Sequence, residues 1–137
     1  MTDFPLPNTS NDLTGQVAFV TGASSGLGRR FAAVLAACGA QVVATGRRVE
    51  RLETLAEEIR AAGGICEPIA LDMTSRESIR DALTEAETRL GTVQILINNA
   101  GIPDAARAVS MSDALTGAVF RTSLVGPWVL SYEVACR

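Results

Sequence analysis

The sequence predicts an α/β fold, a doubly wound parallel sheet with helices on both faces, and two observations carry that prediction. Short apolar runs alternate with helical patterns from Gly15 onward, and a glycine-rich loop follows the first run. Strands that are covered on both faces have continuous apolar sequences, and these runs are continuous and apolar. We expect one partial domain over residues 15–137, ending after the fourth strand and its following helix, behind a flexible arm over residues 1–14.

Four short apolar segments are the predicted strands. Each is bounded by glycine, proline or polar residues, which is typical of strands joined by short loops. Pro68 in the third segment removes a backbone donor, so we expect that strand at an edge of the sheet. In chain order the segments are Val17–Val20, Gln41–Thr45, Ile65–Leu71 and Val93–Ile97.

Apolar residues three or four positions apart indicate the helices between these strands. The third helix begins with a predicted capping box, in which Thr74 is the cap and Glu77 follows three residues later. A last helix is predicted from about Asp113. The apolar face of the first helix comprises Phe31, Val34, Leu35 and Cys38, before Gly39, and that of the second comprises Val49, Leu52, Ala56 and Ile59, before Gly63 and Gly64.

The composition excludes several classes of chemistry. All 12 basic residues are Arg, and the chain has neither Lys nor His. Without His there is no imidazole base or histidine metal site, and without Lys there is no Schiff base or Walker-type lysine. A net charge of −3 with scattered Arg argues against a nucleic-acid surface. We therefore predict no metal site and no nucleic-acid partner.

The cysteines and the absence of targeting patterns favour a cytoplasmic protein. Cys38, Cys66 and Cys136 are odd in number and widely spaced, which predicts free thiols in a reducing compartment. The first residues lack the basic and apolar pattern of a signal peptide, and no apolar run is long enough to span a membrane. We expect no membrane partner.

The segment Thr21-Gly22-Ala23-Ser24-Ser25-Gly26-Leu27-Gly28 joins the first strand to the first helix. Glycine allows a sharp turn and a close approach of the backbone to a pyrophosphate, and the helix N-terminus offers free N–H groups to phosphate. The alternative is a tight turn without a ligand. The position at the first strand–helix junction favours nucleotide binding. The predicted cofactor-binding residues here are Gly22, Ser24, Ser25, Gly26, Leu27 and Gly28.

Three motifs together resemble the short-chain dehydrogenase/reductase family. They are T-G-x-x-x-G-x-G at the first junction, Asp72 at the end of the third strand, and Asn98-Asn99-Ala100-Gly101 after the fourth. The resemblance covers about residues 13–137 and implies a Rossmann-type sheet in the order 3-2-1-4. It also implies a nicotinamide cofactor and hydride transfer between an alcohol and a carbonyl. On this basis Asp72 and Met73 are expected near the adenine, and Asn99, Ala100 and Gly101 along the cofactor.

The end of the second strand favours NADP over NAD. An NAD site usually has an acid about 20 residues after the glycine loop, whereas this region has Gly46 followed by Arg47 and Arg48. A guanidinium group suits a 2′-phosphate. The alternative is that these arginines begin a solvated helix and pair with Glu50 or Glu53. We favour the phosphate role for Arg47, and leave both roles open for Arg48.

No catalytic residue is predicted in this chain. The family chemistry needs a Tyr with a Lys four residues later, but the only Tyr is Tyr132, and Cys136 stands at the Lys position. Tyr132 belongs to a helical pattern of apolar residues and is interpreted as part of that face. Ser123 stands where the family has a supporting Asn, and Pro127 is expected to bend the last helix or to leave a carbonyl unpaired.

Two functional hypotheses follow. In the first, the chain is the cofactor-binding half of an NADP-dependent oxidoreductase whose Ser, Tyr and Lys lie outside it. In the second, it is a vestigial binding module without turnover. The resemblance implies a homo-oligomer for full-length members. The order 3-2-1-4 leaves Val93–Ile97 as an exposed apolar edge, which predicts poor solubility or a loosened fold.

Overall fold

The computed structural model describes residues 10–102 and 108–137. Its elements alternate between strands and helices as far as the fourth strand, and the chain then forms one interrupted helical segment. In chain order they are β1 Val17–Thr21, α1 Gly26–Ala37, β2 Gln41–Gly46, α2 Val49–Ala61, β3 Ile65–Ala70, α3 Arg76–Leu90, β4 Val93–Ile97, a 3-10 turn Ala108–Ser110, α4 Asp113–Phe120, a π-helical turn Arg121–Val125 and α5 Gly126–Ala135.

The four strands form one parallel sheet in the order β3-β2-β1-β4. This confirms the predicted order and the predicted edge position of the strand that contains Pro68. The pairing of β1 with β4 has one irregularity, between Val17 and Ala18. There the backbone N–H of Val17 donates to the side-chain oxygen of Gln94 (2.8 Å), so a side chain replaces a bond between strands.

Two apolar cores cover the two faces of the sheet. One core joins Phe19 and Val43 to α3 and α5, and its fully buried members include Leu83 and Leu130. The other core joins alternate residues of the same strands to α1 and α2. β1 and β2 are buried at nearly every position because they lie between the two cores, which explains their continuous apolar sequences.

The predicted capping box of α3 is wrong. Ser75 is the cap, and its side chain accepts a hydrogen bond from the backbone N–H of Ser78 (3.1 Å). The Thr74 hydroxyl instead donates to the carboxylate of Asp72 (2.7 Å), and the Thr74 N–H donates to the same oxygen. A local turn therefore uses Thr74, and the helix begins one residue later.

The sheet covers only part of the predicted face of α1, since Leu35 packs against the core. Gly28 and Ala32 are its buried residues, whereas Phe31 and Val34 are exposed. A small side chain at position 32 lets the helix lie close to the sheet. The larger apolar side chains consequently lie on a flank of the helix.

Pro127 follows an irregular turn in the last helical segment. A π-helical turn over Arg121–Val125 precedes it, and the N–H of Gly126 donates to the carbonyl of Arg121, five residues earlier. Proline has no N–H for the usual bond to residue 123, so the wider turn absorbs the interruption. A Cβ at Gly126 would overlap the carbonyl oxygen of Met73, so this glycine lets α5 approach the turn after β3.

The described part of the predicted arm is attached to the domain. The N–H of Leu13 donates to the carbonyl of Cys38 (2.8 Å), and Leu13 packs against the core on the α1 side. The rest of the arm, residues 1–9, lies outside the described residues. Among residues 10–102 and 108–137, none of the helices combines the length and apolar character that crossing a membrane requires.

Candidate cofactor site

A cleft of about 730 Å³ lies at the carboxyl ends of the parallel strands. Ligands bind at this end of open α/β sheets because the loops that follow the strands converge there. The cleft brings together the glycine loop, the loop after β2, the loop after β3 and the segment after β4. Its lining residues are Gly22, Ser24, Ser25, Leu27, Gly46, Arg47, Arg48, Leu71, Asp72, Met73, Thr74, Asn99, Ala100, Gly101, Ile102, Thr122 and Ser123.

The glycine loop turns sharply at two points before α1. Gly22 and Gly26 have φ angles of 66° and 58°, in the left-handed region that favours glycine. Ser25 is the N-cap of α1 in an extended conformation, and its side chain makes no capping bond. Because no side chain caps the helix, its first N–H groups remain available to an anion.

The two sequence motifs interlock through Thr21 and Asn99. The buried Thr21 hydroxyl accepts hydrogen bonds from the N–H groups of Asn99 (3.0 Å) and Ala100 (2.9 Å). The Asn99 side-chain amide donates to the carbonyls of Thr21 (3.1 Å) and Gly22 (3.3 Å). The segment after β4 is thus held against the glycine loop by four hydrogen bonds from two residues.

Close contacts explain why this junction requires glycine. A Cβ at Gly22 would lie 2.9 Å from Cα of Ala100, which is too close for a side chain. A Cβ at Gly28 would overlap both the Gly22 carbonyl oxygen and the Asn99 amide. Gly28 therefore lies beneath the loop, where it lets α1 pack against the end of β1, and it does not line the cleft.

The loop after β2 places two arginines beside the glycine loop. The guanidinium of Arg48 donates to the hydroxyls of Ser24 (3.1 Å) and Ser25 (3.0 Å). Among the described residues, Arg47 forms no hydrogen bond or ion pair, and it lines the same cleft. The alternative pairing with Glu50 or Glu53 is absent for both arginines within the described ranges. Two cationic groups and two hydroxyls consequently face one part of the cleft.

Asp72 lines the cleft from the end of β3. Hydrogen bonds from the side chain and then the backbone of Thr74 hold the pKa of Asp72 below its usual value, and the positive charge of Arg47 acts in the same direction. Its backbone N–H donates to the Ser78 hydroxyl (3.0 Å). The carboxylate is therefore ionised at neutral pH and fixed in place by the turn.

Tyr132 lies away from the cleft. Its exposed ring stacks on Trp128, with the ring centres 6.2 Å apart. A hydrogen bond with Cys136 raises the pKa of Tyr132, whereas an acid–base tyrosine needs a lowered one. Its position and its environment both support the interpretation of Tyr132 as part of a helix face.

Of the predicted cofactor-binding residues, all but Gly26 and Gly28 line the cleft. Gly26 borders a smaller cleft of about 280 Å³ on the outer side of the loop, together with Arg29 and Arg51. The sequence analysis did not predict that Thr21 binds the segment after β4, although Thr21 is the first residue of the glycine-loop motif. It also missed lining residues contributed by neighbouring turns, namely Leu71, Thr74, Ile102 and Thr122.

The chain matches the family model described as short chain dehydrogenase over residues 16–136. It belongs to the short-chain dehydrogenase/reductase family. Nodulation protein G of Rhizobium sp. (strain N33) is 41% identical over 123 residues, which are 90% of this chain and 49% of that protein. The 3-oxoacyl-[acyl-carrier-protein] reductase of Thermotoga maritima is 33% identical over 114 residues, which are 83% of this chain and 46% of the relative.

Solved structures agree with this family assignment. A metagenomic short-chain oxidoreductase in complex with NADP is 37% identical, with a TM-score of 0.84, over 92% of this chain and 57% of the other. A dehydrogenase/reductase from Sinorhizobium meliloti 1021 is 34% identical, with a TM-score of 0.89, over 93% of this chain and 51% of the other. The chain spans between 29% and 49% of the length of the first four curated relatives.

Proposed function

We propose that this chain is the NADP-binding half of an oxidoreductase that acts on alcohols or carbonyl compounds. The observation that carries the proposal is the end of β2. An NAD site usually has an acidic residue there, whereas this chain has Gly46 followed by Arg47 and Arg48. An acid at this point would bind a ribose 2′-hydroxyl and repel a phosphate, whereas a guanidinium attracts the phosphate. The NADP in the metagenomic neighbour supports the same choice.

The residues that line the cleft support the binding of a dinucleotide. The positive-φ turns at Gly22 and Gly26 leave the backbone open for a pyrophosphate at the start of α1. Arg47, Arg48 and the two serine hydroxyls face the expected position of the 2′-phosphate. When bound, NADP would supply or accept the hydride, and this chain would bind and orient it.

The adenine and the 2′-phosphate of NADP are attached to the same ribose, so the two groups must bind next to each other. Asp72 and Met73 line the cleft where the family places the adenine, and the charge of Arg47 acts on Asp72. Asn99, Ala100 and Gly101 also line the cleft, and the N–H groups of Asn99 and Ala100 donate to Thr21. Ser123 lines the cleft near Gly101, and its short hydroxyl takes the place of the family's Asn side chain. The chain itself thus offers contacts for binding and none of the family's Tyr–Lys acid–base pair.

A titration with NADP⁺ and NAD⁺, followed by tryptophan fluorescence or calorimetry, tests the cofactor assignment. We expect Arg47→Asp to reduce the preference for NADP⁺ at least tenfold, since a charged hydrogen bond contributes about 1.5–3 kcal/mol. Gly46→Asp should shift the preference towards NAD⁺, because the carboxylate would bind the 2′-hydroxyl and repel the 2′-phosphate. The position can hold a side chain, since a Cβ there would have ordinary contacts of 3.7 Å with Ser24. Arg30→Asp is the matched control, an exposed arginine of α1 outside the cleft. An unchanged preference in both cleft variants would refute the assignment.

The missing lysine favours a second candidate for the polypeptide by itself, a binding module without turnover. All 12 basic residues are Arg, so the Tyr–Lys pair cannot be assembled from this sequence. We expect NADP⁺ binding without NADPH oxidation across a panel of aldehydes and ketones. Turnover above the uncatalysed rate would refute the binding-only candidate, and absence of NADP(H) binding would refute both.

The last helical segment has a stripe of exposed apolar side chains. Phe120, Leu124, Trp128 and Tyr132 are exposed at four-residue intervals on the last helical segment. Exposed groups of large apolar side chains are typical of interaction sites, so we propose a homo-oligomer through this stripe. The described cysteines are free, which is in keeping with a cytoplasmic location. Light scattering of wild type beside Trp128→Glu, at equal concentration, tests the assembly.

A further inference from the structure

The two halves of the glycine loop are held by different parts of the molecule. The inner half, Gly22 and Ala23, is attached to the strands on either side of β1. The Asn99 side-chain amide donates to the Gly22 carbonyl (3.3 Å), and the backbone N–H of Ala23 donates to the Thr45 carbonyl (2.9 Å). Thr45 is itself buried, and its hydroxyl donates to the carbonyl of Val20 (2.9 Å). The sheet therefore fixes the inner half of the loop.

The outer half of the loop, Ser24 to Gly26, lies at the surface. Ser25 and Gly26 are exposed, and the Ser25 side chain makes no capping bond to α1. Gly26 has a φ angle of 58°, and open space surrounds the place that a Cβ would take. These residues also line the smaller cleft on the outer side of the loop. The sheet does not enclose this half of the loop, so its order depends on side-chain contacts.

Arg48 makes such a contact with the outer half. Its guanidinium nitrogen Nη2 donates to the hydroxyls of Ser24 (3.1 Å) and Ser25 (3.0 Å). Arg48 is the N-cap residue of α2, so these bonds connect the start of α2 to the start of α1. A guanidinium group only donates, so each hydroxyl accepts and keeps its own hydrogen free. One cation thus holds two adjacent residues of the loop.

The arginines on either side of Arg48 have different surroundings. Arg47 lines the main cleft, and its charge acts on the Asp72 carboxyl after β3. Arg51, in the first turn of α2, lines the smaller cleft. Among the described residues, neither Arg47 nor Arg51 bonds to a serine of the loop, whereas Arg48 bonds to both. The three positive charges are close in sequence, but only one of these three side chains is placed to hold the loop.

We propose that Arg48 is a positioning residue, which holds Ser24 and Ser25 so that the start of α1 has its binding conformation before a dinucleotide arrives. The N–H groups at a helix start bind a pyrophosphate only where the preceding loop leaves them accessible. A loop that is already ordered loses less conformational freedom on binding, so the affinity is higher. This inference rests on the proposed function, since it takes the loop to bind a dinucleotide. It does not depend on the choice between NADP and NAD.

Hydrogen exchange of the free chain tests the hold on the loop without any cofactor. Arg48→Met removes both bonds and keeps an unbranched side chain, and Arg48 is exposed, so the chain should keep its fold. We expect exchange in residues 24–27 to become about fivefold faster, the effect of losing an exposed charged contact. Arg51→Met is the matched control, because it removes the same charge nearby and should leave this exchange unchanged. Thermal melting of each variant checks that the fold is retained.

A double-mutant cycle shows whether Arg48 acts through the two serines. Ser24→Ala combined with Ser25→Ala removes both acceptors and should speed the exchange as much as Arg48→Met does. The serine variant loses no helix cap, since Ser25 makes no capping bond. Adding Arg48→Met to the serine variant should have no further effect, because its partners are already absent. Independent effects that multiply would assign the change to the charge of Arg48 and would overturn the inference.

Titrations with NADP⁺ and NAD⁺ separate positioning from direct contact with the 2′-phosphate. Arg48→Met should weaken the binding of both cofactors about fivefold and leave their ratio nearly unchanged, since both contain the pyrophosphate. Arg47→Met should weaken the binding of NADP⁺ alone. A loss confined to NADP⁺ in Arg48→Met, with unchanged exchange in residues 24–27, would make Arg48 a direct ligand of the phosphate and overturn the inference. A wild-type chain that binds neither cofactor would refute the proposed function, whereas the exchange of the free chain would still decide whether Arg48 holds the loop.

Discussion

The two edges of the sheet differ in how they are protected. The β3 edge contains Glu67 and Pro68, and Arg60 and Arg89 both pair with Glu67. Arg60 also donates to the backbone carbonyl of Cys66 (2.6 Å), so a side chain occupies a backbone group of that strand. The β4 edge has no charge and no proline, and its Ile95 and Ile97 are only partly buried.

This contrast shows which edge strand is protected against pairing with a further strand and which is not. Proline, inward charges and ion pairs are the means by which natural edge strands avoid further pairing. Their concentration at β3 indicates that the sheet ends there. Their absence at β4 is typical of an interior strand. The difference can be tested from each side.

The largest expected effect concerns the buried thiol of the β3 edge. Burial raises the pKa of Cys66 to about 11, above its ordinary value of 9.0. Between these values the unfolded chain releases the proton and the folded chain retains it. The resulting stability is therefore complete below about pH 9 and is lost as the pH rises towards 11, at no more than about 1.4 kcal/mol per pH unit.

Urea unfolding between pH 8 and 11 measures this loss. Cys66→Ala should lower the free energy of unfolding at pH 8 but remove most of its decline above pH 9. Cys38→Ala is the control and should keep the wild-type decline, since Cys38 is only partly buried. Tyr132→Phe separates the contribution of the tyrosine, whose pKa is also raised. An equal decline in wild type and Cys66→Ala would show that the thiol is not responsible.

The second effect concerns association at the β4 edge. Ile95→Arg introduces a charge at a partly buried position of the open edge strand, where a long side chain can reach water. We expect the rate of self-association of the isolated chain to fall about tenfold, because charged side chains block edge pairing. Ile65→Arg at the protected edge should change that rate less than twofold. Light scattering at matched concentrations compares the two, and equal effects would remove the distinction between the edges.

Much of this contrast was predictable from the sequence. The apolar period located all four strands, and Pro68 predicted the edge position of β3. The cofactor motifs predicted most of the cleft, because chain direction alone brings the loops after parallel strands together. The family resemblance, and not the strand pattern, supplied the order in which the strands pair.

The sequence predictions that were wrong depended on which of two neighbouring residues takes a given place in the fold. Thr74 and Ser75 are adjacent hydroxyl residues, and only the competition for the Asp72 carboxylate decides which one caps α3. The helical spacing of apolar residues in the sequence predicted α1. It could not show that Ala32 rather than Phe31 faces the sheet, since that depends on how closely the helix packs. Thr21 was missed because its hydroxyl acts on a segment 78 residues later.

The smallest effect concerns the ion pairs that protect the β3 edge. Glu67→Gln keeps the shape of the side chain and removes the charge that Arg60 (3.3 Å) and Arg89 (2.9 Å) both approach. Exposed ion pairs contribute about 0.2–1 kcal/mol each, so we expect a loss of about 1 kcal/mol in the free energy of unfolding. The loss should shrink in 1 M NaCl, because salt screens exposed pairs. Arg29→Gln, which removes one exposed pair between α1 and α2, should cost less and respond to salt in the same way. If Glu67→Gln instead left stability unchanged and raised the rate of self-association, the charge would protect the edge without stabilising the fold.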